Sequence, residues 1–213
     1  MRRKIILISI FTLIYLTLFA ATNTWQGDTS HSWSDGNNWS LGHEPYASED
    51  VVIPDVGDYP YITASGGYSA SCRSVEIESG AMLRIANGTL TVTYDVDVYG
   101  SIWMSSSNAV LDVNDDIFWR NGSSESISYG NIYVADNWTF ENGTSFTPGS
   151  DNTVTFDGSS SQSIYAYDSN SYFANLVIDN SASVIWLSNS STYDIHVNND
   201  LTLTNDSRLQ VET

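Results

Sequence analysis

The 213-residue sequence is poorest in cysteine and in positive charge. Cys72 is its single cysteine, so no intrachain disulfide can form. Seven basic residues face 25 acidic ones, a formal net charge of −18. Such a polyanion does not neutralise a phosphate backbone, which sets nucleic-acid binding aside. The same imbalance disfavours anionic membrane surfaces and acidic polysaccharides. Lys4 is the only lysine, so chemistry that depends on a lysine has nowhere else to reside. Prolines number four, and no helical periodicity runs through the chain.

Three of the seven basic residues, Arg2, Arg3 and Lys4, precede an uncharged run from Ile5 to Ala21. A basic start, an apolar stretch and a small-residue exit at Ala20-Ala21 have the layout of a secretory signal, with a retained N-terminal anchor as the alternative. Cleavage after Ala20 leaves four arginines against all 25 acids. The expected location is secreted or cell-surface, with no membrane contact after cleavage. Stability must then come from burial. A composition that is 41% hydrophobic and 13% aromatic supplies enough apolar surface for a core.

What is abundant is a short alternating pattern. Apolar pieces of two to five residues sit between Gly, Asn, Asp and Ser, as in Ser74-Val75-Glu76-Ile77-Glu78. This is the period-two signature of half-buried strands. The pieces also return. Val75, Val96, Ile117 and Trp138 open strand-like triplets at steps of 21 residues. Leu90, Leu111, Ile132 and Val154 open a second series at steps of 21, 21 and 22. A third, less regular position holds Leu83-Arg84-Ile85 and Ile102-Trp103-Met104. Gly80, Gly100, Gly122 and Gly143 recur at steps of 20, 22 and 21 and read as one turn glycine per coil.

Three strand positions per repeat predict an all-β, right-handed parallel β-helix of about 21 residues per coil. A β-sandwich also yields short strands at regular intervals, but it does not explain the return of each third strand in register. Alternation directs Val75, Ile77, Val96, Val98, Ile117, Trp119, Trp138 and Phe140 inward. It directs Glu76, Asp97 and Asp112 outward, together with Trp103, Tyr133 and Trp186. Beyond Phe156 the period degrades, and the stretch from Asn189 to Asp194 is expected to bulge.

Few constellations promise chemistry. Asp115 and Asp116 supply a carboxylate pair of the kind glycoside hydrolysis uses, but they read as a solvated turn before Ile117. His31, His43 and His196 show neither metal spacing nor a paired carboxylate. Oxygen ligands for calcium cluster at Asp112, Asp115 and Asp116, yet no calcium-loop motif is present. No catalytic residue, cofactor or metal site is expected. Trp103, Tyr133 and Trp186 are the candidate glycan-stacking platforms, a row on one wall being the arrangement that would favour carbohydrate binding.

The opening of the chain carries a resemblance. Thr24-Trp25-Gln26-Gly27, Trp33-Ser34-Asp35, Asn38-Trp39, Pro45 and Glu49-Asp50-Val51-Val52-Ile53-Pro54 lead into Ser74-Val75-Glu76-Ile77 and Gly80-Ala81-Met82-Leu83. This resembles the start of right-handed β-helix domains in large exported surface proteins of Bacteroidetes-type bacteria. Asn152 to Gly158 and Phe173 to Ile178 are similar to a repeat of the same proteins. The resemblance implies a structural or adhesin-like segment rather than a catalyst. The expected organisation is a signal at 1–20, a Trp-rich cap and first strand at 21–54, and coils over 55–213 that continue in a longer parent. Expected partners are neutral glycans or other surface proteins, with a carbohydrate-binding module or a polysaccharide lyase or hydrolase as the alternative reading.

Overall fold

The computed structural model describes residues 20–63, 68–167, 169–180, 184–189 and 195–211, with the backbone alone for 184–189 and 211. Apart from a three-residue 3-10 turn at Gly36–Asn38, its regular structure is all β. β1 (Thr22–Thr24) comes first. A first coil follows with β2 (Asp50–Ile53), β3 (Tyr61–Thr63) and β4 (Ser69–Cys72). The second coil holds β5 (Ser74–Ile77) and β6 (Met82–Val92), the third β7 (Val96–Val98), β8 (Ser101–Met104) and β9 (Ala109–Val113). The fourth holds β10 (Ile117–Trp119), β11 (Ser124–Ile127) and β12 (Tyr129–Val134), the fifth β13 (Trp138–Phe140) and β14 (Asp151–Phe156). Next come β15 (Ser163–Ala166), β16 (Tyr172–Phe173) and β17 (Asn175–Ile178). The last are β18 (Val184–Asn189), β19 (His196–Val197), β20 (Leu201–Leu203) and β21 (Arg208–Val211).

Every strand pair is parallel and joins equivalent positions of successive coils, giving a β-solenoid of about six turns. Wall one runs β1-β2-β5-β7-β10-β13-β15-β18-β21. Wall two stacks β3, β6, β8 and β11, and wall three stacks β4, β6, β9, β12, β14, β17 and β20. β6 serves both of these walls, its first half pairing with β8 and its second half with β9. Val75, Val96, Ile117 and Trp138 do stand in one register column. Their inward neighbours Ile77, Val98, Trp119 and Phe140 form the next, and all eight are buried. Each such aliphatic contributes about 1.5–3 kcal/mol on burial.

Wall two explains the irregular third position. From coil two to coil three, walls one and three advance by 21 residues, Ile77 to Val98 and Val92 to Val113. Wall two advances by only 19, from Met82 to Ser101, and then by 23, from Ser101 to Ser124. Coil three has two residues fewer at its first corner, where Tyr99-Gly100 alone join β7 to β8. It has two more at its second corner, so the register of the other walls is preserved.

This corrects the reading of Gly100 as another turn glycine. Gly122 has φ +84° and supplies a left-handed turn residue, as does Gly80 at +86°. Gly100 has no positive φ. It is aligned instead with Ala81 and Ser123, and a Cβ there would collide with the carbonyl oxygens of Glu78 and Ala81. The short corner needs a residue without a side chain.

β1 is an element the repeat pattern missed. It pairs with β2, and its other edge is occupied by the segment that follows it: Ser40 N donates to Thr24 O at 2.9 Å and Leu41 N to the Asn23 side chain at 3.1 Å. Trp25, Trp33 and Trp39 are buried beside it, packed edge to face with centroids 4.8–5.0 Å apart. The Trp39 indole donates to Trp33 O at 2.7 Å. At wall one, the strand after Trp138 is β15, 26 residues on at Ile164, and the next step brings Leu187. Of the expected bulge, residues 190–194 lie outside the described residues.

Candidate functional site

The walls differ in what they show to solvent. Outward positions of wall one include Asp50, Glu76 and Asp97, and those of wall three include Asp112 and Asp151. On wall two they are Tyr61, Thr63, Met82, Arg84, Ser101, Trp103, Ser124 and Ser126, with no acid among them. Glu125, in register with inward Ile102, turns its carboxylate to the amides of Ile127 and Thr147 instead.

One column of this wall reads Ser32, Tyr61, Arg84, Trp103, Ser126 from coil to coil. Tyr61 and Trp103 are two strands apart, yet their rings lean together to a centroid separation of 5.9 Å. They line a groove of about 560 Å³ with His31, Met82, Arg84 and Ser126. At its rim the His31 imidazole sits 3.3 Å from Tyr59 O and 3.8 Å from the Asp58 carboxylate.

Arg84 donates from Nε to Met82 Sδ at 3.4 Å, a weak acceptor, and forms no salt bridge among the described residues. Its counterparts are spent. Arg73 pairs with Asp50 at 2.6 Å and lies 4.5 Å over the Tyr94 ring, which closes a second cavity of about 750 Å³. Arg120 bridges Asp97 of the preceding coil and Glu141 of the next, the latter at 2.9 Å.

The acidic cluster expected at Asp112, Asp115 and Asp116 is assembled differently. Asp95, Asp115 and Asp116 bring carboxylate oxygens within 4.8 Å of one another, while Asp112 belongs to wall three and accepts from Thr91. The difference arises because stacking places Asp95 one coil above Asp116. Here the Asp116 carboxylate accepts from Asn137 N and Nδ2 at 2.7 and 2.9 Å, and Asp116 N donates to Asp95 at 3.4 Å. Burial pushes the Asp95 carboxyl above its ordinary value, with Asp115 adding repulsion. Burial also raises Asp115, helped by Asp116, and Asp136, helped by Asp116, Asp115 and Asp95. The arrangement is an Asx ladder that holds coils in register.

The expectation that no histidine meets a carboxylate is overturned. His31 reaches Asp58, and His43 lies 3.6 Å from Glu49, whose other oxygen accepts from Tyr46 N and Asn23 Nδ2. The fold joins segments whose spacing gives no hint of the contact. His43 stacks on Tyr46 at 4.5 Å and donates from Nδ1 to Glu44 O at 2.9 Å, so this pair fastens a loop. Cys72 is fully buried, and burial followed by the nearby Asp50 charge pushes its thiol pKa up.

The three candidate stacking aromatics are not brought together. Trp103 stands in the wall-two groove. Tyr133 stands on wall three in a column with Asp112 and Thr155. Trp186 belongs to β18 of wall one, and its side chain lies outside the described residues. Tyr61, Arg84 and His31 were missed, because the 23- and 19-residue steps that align Tyr61, Arg84 and Trp103 hide them from a 21-residue period.

Fold and surface together define a parallel β-solenoid repeat protein with one wall whose outward column carries aromatics, an arginine and hydroxyls in place of acids. Residues 24–129 match the model of a family described as a domain of unknown function (DUF8693), a stretch of just under half the chain that includes every residue lining the groove. No curated protein and no solved structure matches the chain. Among the described residues no helix is long and apolar enough to cross a membrane.

Proposed function

We propose that this chain is a non-catalytic, adhesin-like segment of an exported surface protein, a rigid solenoid whose walls present binding surfaces. The observation behind this reading is where its polar side chains are spent. Asp116 on Asn137, Arg120 on Asp97 and Glu141, and Asp179 on Thr204 all tie one coil to the next. Groups engaged in this way fix shape and are not free to shuttle protons. Export would use the signal at 1–20. β1 begins at Thr22, so removal of residues up to Ala20 leaves every described strand pairing in place. The test is a polysaccharide-degradation panel run on the chain from Ala21 onward. No release of reducing or unsaturated ends is expected, and release that vanishes in an Asp115→Ala, Asp116→Ala double variant would overturn the reading.

A carbohydrate-binding role is the second reading, favoured by the leaning pair Tyr61 and Trp103 on one wall. Flat aromatic faces suit the C–H faces of sugar rings, and a shallow groove suits a chain lying across coils. Glycan-array binding that is lost in Trp103→Ala, with an unchanged unfolding temperature, would bring this reading to the front. Binding that survives the change would remove it.

A further inference from the structure

We infer that the wall-two groove recognises a sugar bearing a carboxylate, a uronic acid unit of an oligosaccharide, with Arg84 as the anion contact and Tyr61 and Trp103 as the stacking faces; this rests on the carbohydrate reading above. Total charge points the other way, toward neutral glycans. Yet charge acts locally. At physiological ionic strength the screening length is about 8 Å, so the acids of walls one and three count for little at a groove on another face.

Three observations converge on an anion. The outward positions of wall two hold no acid, although acidic residues outnumber basic ones by 25 to 7. Arg84 has no carboxylate partner among the described residues, whereas Arg73 and Arg120 each have one or two. Arg208 also has none among the described residues, but it is exposed and is not among the residues lining this groove. Finally, Arg84 occupies the register position between Tyr61 and Trp103, so its guanidinium and the two rings open onto the same groove.

A guanidinium offers five N–H donors in a planar fork, and among the described residues only one is engaged, on a thioether. That fork matches a carboxylate in bidentate fashion, with geometry a hydroxyl does not reproduce. His31 adds a second nitrogen at the rim, 3.8 Å from the Asp58 carboxylate. Ser126 at the far end of the column offers a hydroxyl for a sugar oxygen.

The experiment is calorimetric titration of the chain from Ala21 onward with matched pairs of tetrasaccharides. Tetramers of galacturonate, glucuronate and mannuronate are each compared with their carboxyl-reduced, neutral counterparts. The inference expects one acidic tetramer to bind at least about tenfold more tightly than its neutral partner, and Arg84→Gln to erase that difference. Trp103→Ala should weaken both members of the pair. Equal binding of both members, unchanged in Arg84→Gln and lost in Trp103→Ala, overturns the acidic-sugar inference and leaves the carbohydrate reading standing. Failure of every tetramer to bind overturns both. Thermal unfolding of each variant, with Arg84→Lys as a charge-keeping control, separates loss of the fork from loss of the fold.

Discussion

The second and third coils and the fourth to sixth coils solve the same packing problem with different residues. In the former the interior is aliphatic: Val75, Ile77, Leu83, Ile85, Leu90, Val96, Val98, Ile102 and Leu111 stack like upon like. In the latter Trp119, Trp138, Phe140, Phe146, Phe156 and Phe173 form a continuous ring cluster with centroids 4.7–6.4 Å apart. The aliphatic coils keep a 21-residue step on walls one and three. Among the rings the steps lengthen to 22 at Val154 to Leu176 and 26 at Trp138 to Ile164. Wall two thins there to the single bridge Ser124 to Ser145 and then the short pair β16 and β19. Small β-branched residues fill a layer one strand at a time, whereas an indole reaches into neighbouring layers. The coils around it are therefore joined by ring contacts in addition to the ladders of walls one and three.

The largest effect should come from taking that ring cluster apart. Trp138 touches Trp119, Phe140, Phe146, Phe156 and Phe173, so Trp138→Ala is expected to lose about 4 kcal/mol, read by denaturant unfolding. Trp138→Phe sharpens the contrast. The indole N–H is buried without a hydrogen-bond partner among the described residues, so removing it offsets part of the lost volume, and a loss of only about 1–2 kcal/mol is expected. Equal losses for the two variants would mean that the N–H has found a partner.

A smaller effect probes the corners of the aliphatic coils. Gly100→Ala should lose about 2–3 kcal/mol, because backbone oxygens must move, and Gly122→Ala about 1 kcal/mol, because only its φ is strained. The reverse order would contradict the compensating-corner account.

The smallest effect concerns charge. Asp95, Asp115 and Asp136 have folded pKa values above their unfolded ones, so the folded chain binds their protons more tightly. Their contribution to stability then rises as pH falls from neutral through those raised values, and it is complete below the ordinary carboxylate range. Asp115→Asn should be more stable than wild type at pH 7 by less than about 1 kcal/mol and should show a smaller gain on mild acidification. Thermal melts across that range decide it.

How much of this was legible in the sequence follows from the same contrast. The returns of Val75, Val96, Ile117 and Trp138 revealed wall one, and those of Leu90, Leu111, Ile132 and Val154 wall three, because almost nothing interrupts their 21-residue step. Wall two stayed obscure because a deletion at one corner and an insertion at the next cancel, leaving the neighbouring walls in step while displacing Ser101 to Met104. Alternation was enough to turn Trp103 and Tyr133 outward. It could not pair Trp103 with Tyr61 or find Arg84 without a partner, since both facts depend on the displaced register. The contacts of His31 with Asp58 and His43 with Glu49 were invisible for a simpler reason: they join loops, and loops carry no period.

The exclusively parallel, coil-on-coil pairing also dictates how the molecule would yield to a pull on its ends. Force along the stack loads the hydrogen bonds of one wall in sequence rather than together, so coils should peel away singly. Each release would free about 21 residues, roughly 70 Å of contour at full extension, in exchange for a single inter-strand spacing of roughly 4.8 Å. The long strand β6, bonded on two walls at once, would resist detachment more than its neighbours. A tether built this way lengthens in steps under tension and absorbs work before anything attached to it lets go.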